Sequence, residues 1–586
     1  MESGGRAIIG LEQKCWNPDE YLGDTHHTSI IMAGKLMRRL MLWFAPLTFF
    51  GFFFFFPLLR ILSVTFNIQA ISSARLSTTA EVVSFTIYQA LLSTLLTLFI
   101  GLPAAYLFGR YDFSGKSVLK ALTAVPFLLP TVVVAAAFNA LLGPRGWINL
   151  GMMQLLQIKA PPINFMGTLS AILLAHIFYN TTIIIRIVGN AIANLDPRLE
   201  QAARSLGADA RQVWLKINFP LLIPSILTST LLVFLFDFSS FGVILLLGGS
   251  GYRTIEVEIF NQAIRRLDLS MAAWLCFIQM FFTMLISLFY SKTSSRHVQQ
   301  SNPQPVSARI HKSRTPRESL FLVGMILILI LIYVLPLAAL PLRSISRLEA
   351  ERGQRSSVQY GLTTTYYEAL FINRTNSLFY VPPIQAARTS LAYAAITIIL
   401  ALGMGFPAAA ALARPGRLER VLDPVLVLPL GTSSVILGLG FIITYGKWLA
   451  SPLLVPIAHT LIALPFVIRT LQPAIQSIPD RLREAAAIMG ATPFQVWRLV
   501  DWPILSRATL AASTFAFTVS MGEFGAALLI SRPEYPTIPV AIYRFLSQPG
   551  GLNYGQAMAM STLLLFITLI GILLIDKVRL QGNSVI

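Results

Sequence analysis

The sequence has 586 residues, 55% hydrophobic and only 12% charged, where an ordinary soluble domain carries about 25% charged residues. Runs such as Met41–Phe56 and Leu320–Leu342 hold almost nothing polar, which excludes a soluble chain and defines a polytopic membrane protein. The net charge of +19 would fit a nucleic-acid partner, but its distribution excludes that reading. With the N-terminus in the cytoplasm, nearly two-thirds of the 45 Lys and Arg fall in or beside cytoplasmic segments, as positive-inside bias requires.

In chain order, residues 1–39 are mostly polar and lack an early apolar core, so they read as a cytoplasmic tail without a cleavable signal peptide. About twelve transmembrane helices follow. Six are expected near 40–62, 86–109, 119–142, 168–189, 221–247 and 269–290, and six near 319–342, 388–412, 421–446, 452–473, 505–530 and 556–576. Between the two sets, 291–318 is polar and rich in Lys and Arg, which marks a basic cytoplasmic linker. Residues 577–586 form a last cytoplasmic tail. Cys15 and Cys276 lie in a tail and a span, with no basis for a disulfide framework or a metal site.

The two sets are copies. A constant offset of 283 residues pairs His176 with His459, Arg186 with Arg469, Gly207 with Gly490, Pro220 with Pro503, and Phe241-Gly242 with Phe524-Gly525. Farther upstream "GLPAAYLFGR" from Gly101 matches "GFPAAAALAR" from Gly405. The halves are 40–290 and 319–576. Each holds an even number of spans, so both enter the membrane the same way round and form a parallel repeat.

Each half carries a charged cytoplasmic segment between its fourth and fifth spans, 196–220 and 479–503. Asp196-Pro197 is an N-cap with proline at the first turn, and Gly207 is a C-terminal stop. Asp209 to Gln212 and Thr492 to Gln495 have capping-box spacing. The expected form is a helix, a tight turn and a second helix lying across the membrane face. Ala202, Ala203, Ala485 and Ala486 leave a shallow surface that another protein can approach closely.

The second copy, Glu484-Ala485-Ala486 through Gly490 to Pro503, resembles the EAA motif in the coupling loop of binding-protein-dependent ABC transporter permeases. The first copy departs from it, with Gln201 at the glutamate position and Glu200 just before it. The resemblance covers roughly 85–290 and 388–576. It implies an all-α type I importer permease with two parallel halves in the bacterial cytoplasmic membrane. Its implied partners are two ATP-binding cassette ATPase subunits, an extracytoplasmic solute-binding protein and membrane lipid, with no nucleic acid. Glu200, Gln201, Ala202, Ala203, Gly207, Glu484, Ala485, Ala486 and Gly490 would dock the ATPases. The fused form is similar to iron(III) and thiamine permeases, which implies a cationic solute. The alternative is a major-facilitator-type secondary transporter driven by an ion gradient, also twelve spans in parallel halves.

No catalytic or cofactor site is expected on the chain, so ATP and Mg belong to the partner ATPase. "GRYDFSGKS", Gly109–Ser117, spaces its glycines wrongly for a phosphate-binding loop and follows a membrane helix instead of a strand. His176 and His459 are each solitary, with no Cys, Asp or Glu at ligand spacing, and read as helix-packing residues. Asp237 and Glu523 lie inside apolar runs, where acids face a bundle interior or a path. At the repeat offset Asp237 matches Ser520 and Ser240 matches Glu523, which sets the two acids three residues apart on similar helix faces and makes these four residues the candidate translocation path.

Overall fold

The computed structural model describes residues 41–66, 73–158, 160–295, 315–347, 361–373, 381–449 and 451–581. The expected N-terminal tail, most of the 291–318 linker and the last five residues lie outside them. The helices long and apolar enough to cross a membrane are α1 (Met41–Phe66), α2 (Arg75–Arg110), α3 (Thr131–Leu156), α4 (Leu169–Ala193), α5 (Ala210–Phe238) and α6 (Leu269–Thr293). They continue with α7 (Pro316–Ser344), α8 (Pro383–Ala413), the bent pair α9 (Arg417–Pro429 and Ser434–Trp448), α10 (Leu454–Gln476), α11 (Pro493–Gly522) and α12 (Gly551–Leu573). With the bent pair taken as one crossing, the described residues hold twelve candidate spans, the number expected, although the third is Thr131–Leu156 and not 119–142.

Within the first half α2, α4 and α5 pack on one another, and α8, α10 and α11 repeat that arrangement in the second. Small residues let these helices approach. A Cβ on Gly101 would meet Ile184 at 2.8 Å, and one on Gly405 would meet the equivalent Val467 at 2.6 Å.

The leading helix of each half is shared with the other half. α1 bridges α6 of its own half and the Ser434–Tyr445 stretch of α9. The Tyr445 hydroxyl donates to the Phe52 carbonyl, and Gly440 leaves room for Pro57. Reciprocally, α7 bridges α12 and the Thr131–Leu142 stretch of α3. The halves therefore interlock, and packing crosses the sequence boundary between 40–290 and 319–576.

Four expected spans are broken. The run at 119–142 divides into a helix over Lys116–Leu128 and α3, with Leu129 and Pro130 extended between them. A residue before proline is driven from helical geometry, and proline has no N–H to continue the ladder. Its counterpart at 421–446 bends by 93° where Ser433 caps a new helix through the Val435 amide. The runs at 221–247 and 505–530 stop after Phe238 and Gly522, and short helices Gly242–Leu247 and Gly525–Ile530 begin just beyond. Outside the helices, β1 (Ser346–Arg347) pairs antiparallel with β2 (Gly361–Leu362), Ser346 opposite Leu362.

Candidate functional site

Both cytoplasmic loops fold as their end signals dictate. In the first, the Asp196 carboxylate accepts from the Arg198 amide and caps the helix Pro197–Ser205. In the second, the helix runs Asp480–Ile488. Gly207 (φ +86) and Gly490 (φ +84) then adopt the left-handed conformation that glycine accepts without penalty. The turns are superimposable in their bonding: Ala208 donates to the Ala203 carbonyl and Ala491 to that of Ala486, both at 3.0 Å. Capping boxes at Asp209/Gln212 and Thr492/Gln495 start the next helix in each copy.

That next helix does not lie across the membrane face. It is the first turn of α5 or α11 and joins the rest of that helix through one widened turn, in which Phe219 bonds back five residues to Trp214, and Trp502 to Trp497. Pro220 and Pro503 lack the N–H of a regular helix and crowd the carbonyl four residues before them, and the wider turn relieves both problems. Only the first helix of each loop stands free of the spans.

The inward face of that element is tied down at two points. Glu200 is buried. It receives both terminal nitrogens of Arg110, at the end of α2, at 2.8 Å each, and the Asn218 amide, at the start of α5, at 3.0 Å. Burial alone would push the Glu200 carboxyl up, but the hydrogen bonds and charge of Arg110, with Asn218, hold it below its usual range. In the second loop Arg483 occupies the Glu200 place and bonds Asp501, the counterpart of Asn218, at 2.8 Å. Asp480 joins Arg483 at 3.2 Å and also Arg414, at the end of α8.

The outward face is free within this chain. Gln201, Ala202, Gly207, Glu484, Ala485 and Gly490 are exposed, with Leu206 89%, Ile488 87% and Met489 81% accessible. Ala203 is half-buried and Ala486 buried against its own chain. Of the nine expected docking residues, Glu200 and Ala486 thus face inward and the rest line or border the outer surface.

The candidate path residues gather in two separate places, one per half, each around a histidine. His176 Nδ1 lies 3.4 Å from the Asp237 carboxylate and its Nε2 lies 2.8 Å from Ser240 Oγ. His459 Nδ1 lies 2.9 Å from Ser520 Oγ and its Nε2 lies 3.3 Å from the Glu523 carboxylate. The two rings have the same orientation, and the acid and the serine have exchanged places. Asp237 also takes the Asn180 amide at 2.6 Å, whereas Glu523 accepts the Ala526 and Ala527 amides at 2.9 Å and so caps the helix Gly525–Ile530. The histidines are therefore not solitary, and Asp237 and Glu523 do not share a helix face: Asp237 ends a helix, while Glu523 is in the extended break after one. Among the described residues no group of three metal-ligating side chains forms.

A model of the family described as "Binding-protein-dependent transport system inner membrane component" matches residues 98–301 and 401–579. The chain belongs to this family: it is a multi-pass inner-membrane permease of an ABC importer, with the type I permease fold present twice. Membership overturns the major-facilitator alternative. Relatives match most of the chain. The thiamine transport system permease protein ThiP of Brucella abortus (strain 2308) is 26% identical over 503 residues, 85% of this chain and 87% of that protein. ThiP of Escherichia coli (strain K12) is 24% identical over 488 residues, covering 81% and 85%. PhnU of Salmonella typhi, provisionally named for 2-aminoethylphosphonate transport, is 27% identical over 282 residues, 46% of this chain but 96% of that protein.

Proposed function

We propose that this permease passes thiamine or a closely similar organic cation inward, driven by two copies of a separate ATPase that dock on the cytoplasmic loops. The observation that carries the docking reading is the matched pair of outward faces, Gln201-Ala202 with Leu206 and Glu484-Ala485 with Met489, at one repeat offset. The thiamine reading is supported by relatives of that name that match both halves together. An extracytoplasmic binding protein delivers the solute, and ATP with Mg is bound and hydrolysed on the ATPase.

The chain's own contribution is a lever. Arg110–Glu200–Asn218 ties the first loop helix to α2 and α5, and Arg414–Asp480–Arg483–Asp501 ties the second to α8 and α11. When the docked ATPases close on ATP, the loop helices move with them, and those ties carry the displacement into the spans that form the core of each half. Alternating access follows from rocking the two halves about their interlocked interface.

The test is reconstitution in proteoliposomes of the full chain with an ABC ATPase and a thiamine-binding protein from the same genome. Thiamine should accumulate only with all three components and internal ATP. Accumulation by the chain alone would overturn the docking reading. ATP-driven uptake of 2-aminoethylphosphonate in preference to thiamine would overturn the solute.

A further inference from the structure

Phe241 and Phe524 are separated by the repeat offset of 283 residues, and their rings stack with centroids 5.7 Å apart and 26° between planes. Equivalent residues of two pseudosymmetric halves touch each other only beside the axis that relates the halves. The stack therefore marks that axis. Both rings are buried, 5% and 3% accessible. Behind them stand a second equivalent pair: Phe260 is 5.7 Å from Phe241 at 60°, and Tyr543 is 5.7 Å from Phe524 at 59°. Four rings form one ladder across the interface, two from each half. A parallel-repeat transporter carries its solute between the halves, so this ladder stands across the route.

The chain positions the central rings from both sides. Each follows directly on a histidine contact: Asp237 and Ser240 with His176 precede Phe241, and Ser520 and Glu523 with His459 precede Phe524. Each precedes a glycine packed hard on the first residue of a helix in its own half, α3 for Gly242 and the Ser434–Trp448 stretch of α9 for Gly525. A Cβ on Gly242 would strike the Thr131 side chain and one on Gly525 the Ser434 side chain. These contacts fix where the break between α5 or α11 and the short helix occurs, and so where each ring points.

We propose that Phe241 and Phe524 are the closed gate of the translocation path, at the ends of α5 and α11 remote from the cytoplasmic loops. His176 and His459 are positioning residues that hold each ring on the axis, and transport requires the two rings to part. This rests on the transport reading but not on the identity of the solute.

The experiment uses the full chain with Cys15 and Cys276 replaced by alanine, carrying Phe241→Cys and Phe524→Cys, in membrane vesicles with its ATPase. A short bifunctional thiosulfonate is the probe. In the nucleotide-free state the pair should be bridged in high yield, and bridging should lower thiamine uptake about tenfold, reversibly on reduction. Trapping with ATP and vanadate should lower the bridging yield. Equal yields in both states, or a bridged protein that transports at the unbridged rate, would overturn the gate. Cysteine-free protein that keeps both phenylalanines and hydrolyses ATP without taking up thiamine would sink the solute, while the two bridging yields still judge the gate. Adding His176→Gln should lower the bridging yield per molecule of protein that co-purifies with the ATPase, a ratio from which misfolded chains are excluded. An unaltered ratio would overturn the positioning role. As a second check that keeps both positions apolar but removes the rings, Phe241→Leu with Phe524→Leu should let preloaded thiamine leak without ATP, and vesicles that stay tight would count against the ring seal.

Discussion

Glu200 and Arg483 occupy the same place in the two cytoplasmic loops and carry opposite charges. Each is tied to the equivalent residue at the start of the following span, Asn218 in one half and Asp501 in the other. The family glutamate position one residue later, Gln201 and Glu484, points outward in both. Two duties are thus divided between neighbours: the first residue anchors the loop and the second faces outward. Glu200→Ala should leave Arg110 half-buried without its carboxylate and cost about 3 kcal/mol locally. Glu484→Ala should change stability by less than about 0.5 kcal/mol and instead weaken ATPase co-purification. Thermal unfolding of the purified chain, beside a pull-down on the ATPase, separates the two effects.

The same anchor gives the first loop a pH dependence. The folded Glu200 carboxyl is held below its usual range, so the unfolded loop binds a proton at higher pH than the folded one. The stabilisation is complete above the ordinary carboxylate pKa and fades as pH falls through the lowered folded value. Amide hydrogen exchange over 199–206 should therefore accelerate, relative to the intrinsic rate, on acidification through and below the usual carboxylate range. Glu200→Gln should flatten that response.

The turn that ends each coupling helix depends on backbone geometry alone. Beyond the adjoining residues no atom lies within 4 Å of a Cβ built on Gly207 or Gly490, yet their φ angles are +86° and +84°. Gly490→Ala should therefore cost about 1 kcal/mol through left-handed strain without any clash. Gly490→Asn should recover much of it, because asparagine tolerates that region. Because Ala486 packs into its own chain, Ala485→Asp is the cleaner probe of the docking face. It should abolish ATPase co-purification while the chain remains inserted.

The interlocked leading helices lead to an assembly test. α1 rests on α9 through Tyr445 and Gly440, and α7 rests on α3. Two polypeptides divided within 296–314 should co-purify when co-expressed. Gly440→Leu should reduce their association, since even a Cβ at this position would sit 3.0 Å from Pro57. Independent halves that do not bind each other would contradict the exchanged packing.

How far the sequence could be read depends on the range of the interaction. Caps and stops act within a few residues, so Asp196, Gly207, Asp209/Gln212 and Thr492/Gln495 were legible with the roles they have. The repeat was legible because it is one-dimensional. The breaks after Phe238 and Gly522 were not: an averaged apolar run does not register two serines or a Gly-Glu pair. The exchange of α1 and α7 depends on contacts hundreds of residues apart, which hydropathy does not encode. The histidine contacts lay between these extremes. His176, Asp237 and Ser240 recur as His459, Ser520 and Glu523 at one offset, and polar positions that recur inside apolar spans mark a shared contact.

That exchange of acid and serine supplies the most discriminating test of what the two histidine sites do. Both imidazoles direct Nδ1 to position 237 or 520 and Nε2 to position 240 or 523, and each finds one acid and one hydroxyl. If the requirement is only that each histidine meet one acid, the order should not matter. Asp237→Ser alone removes the acid of the first half and strands the Asn180 amide that it accepts, so uptake and stability should both fall. Adding Ser240→Glu recreates the order of the second half. Position 240 directly precedes Phe241, as Glu523 precedes Phe524, so the new carboxylate can meet His176 Nε2 and also reach the first amides of the helix Gly242–Leu247. The double variant should therefore recover uptake that the single variant loses, although the Asn180 contact stays unmade. Uptake and membrane abundance measured side by side decide the matter. If the double variant is no better than Asp237→Ser, or worse, the acid at 237 acts through its own position and not through the histidine.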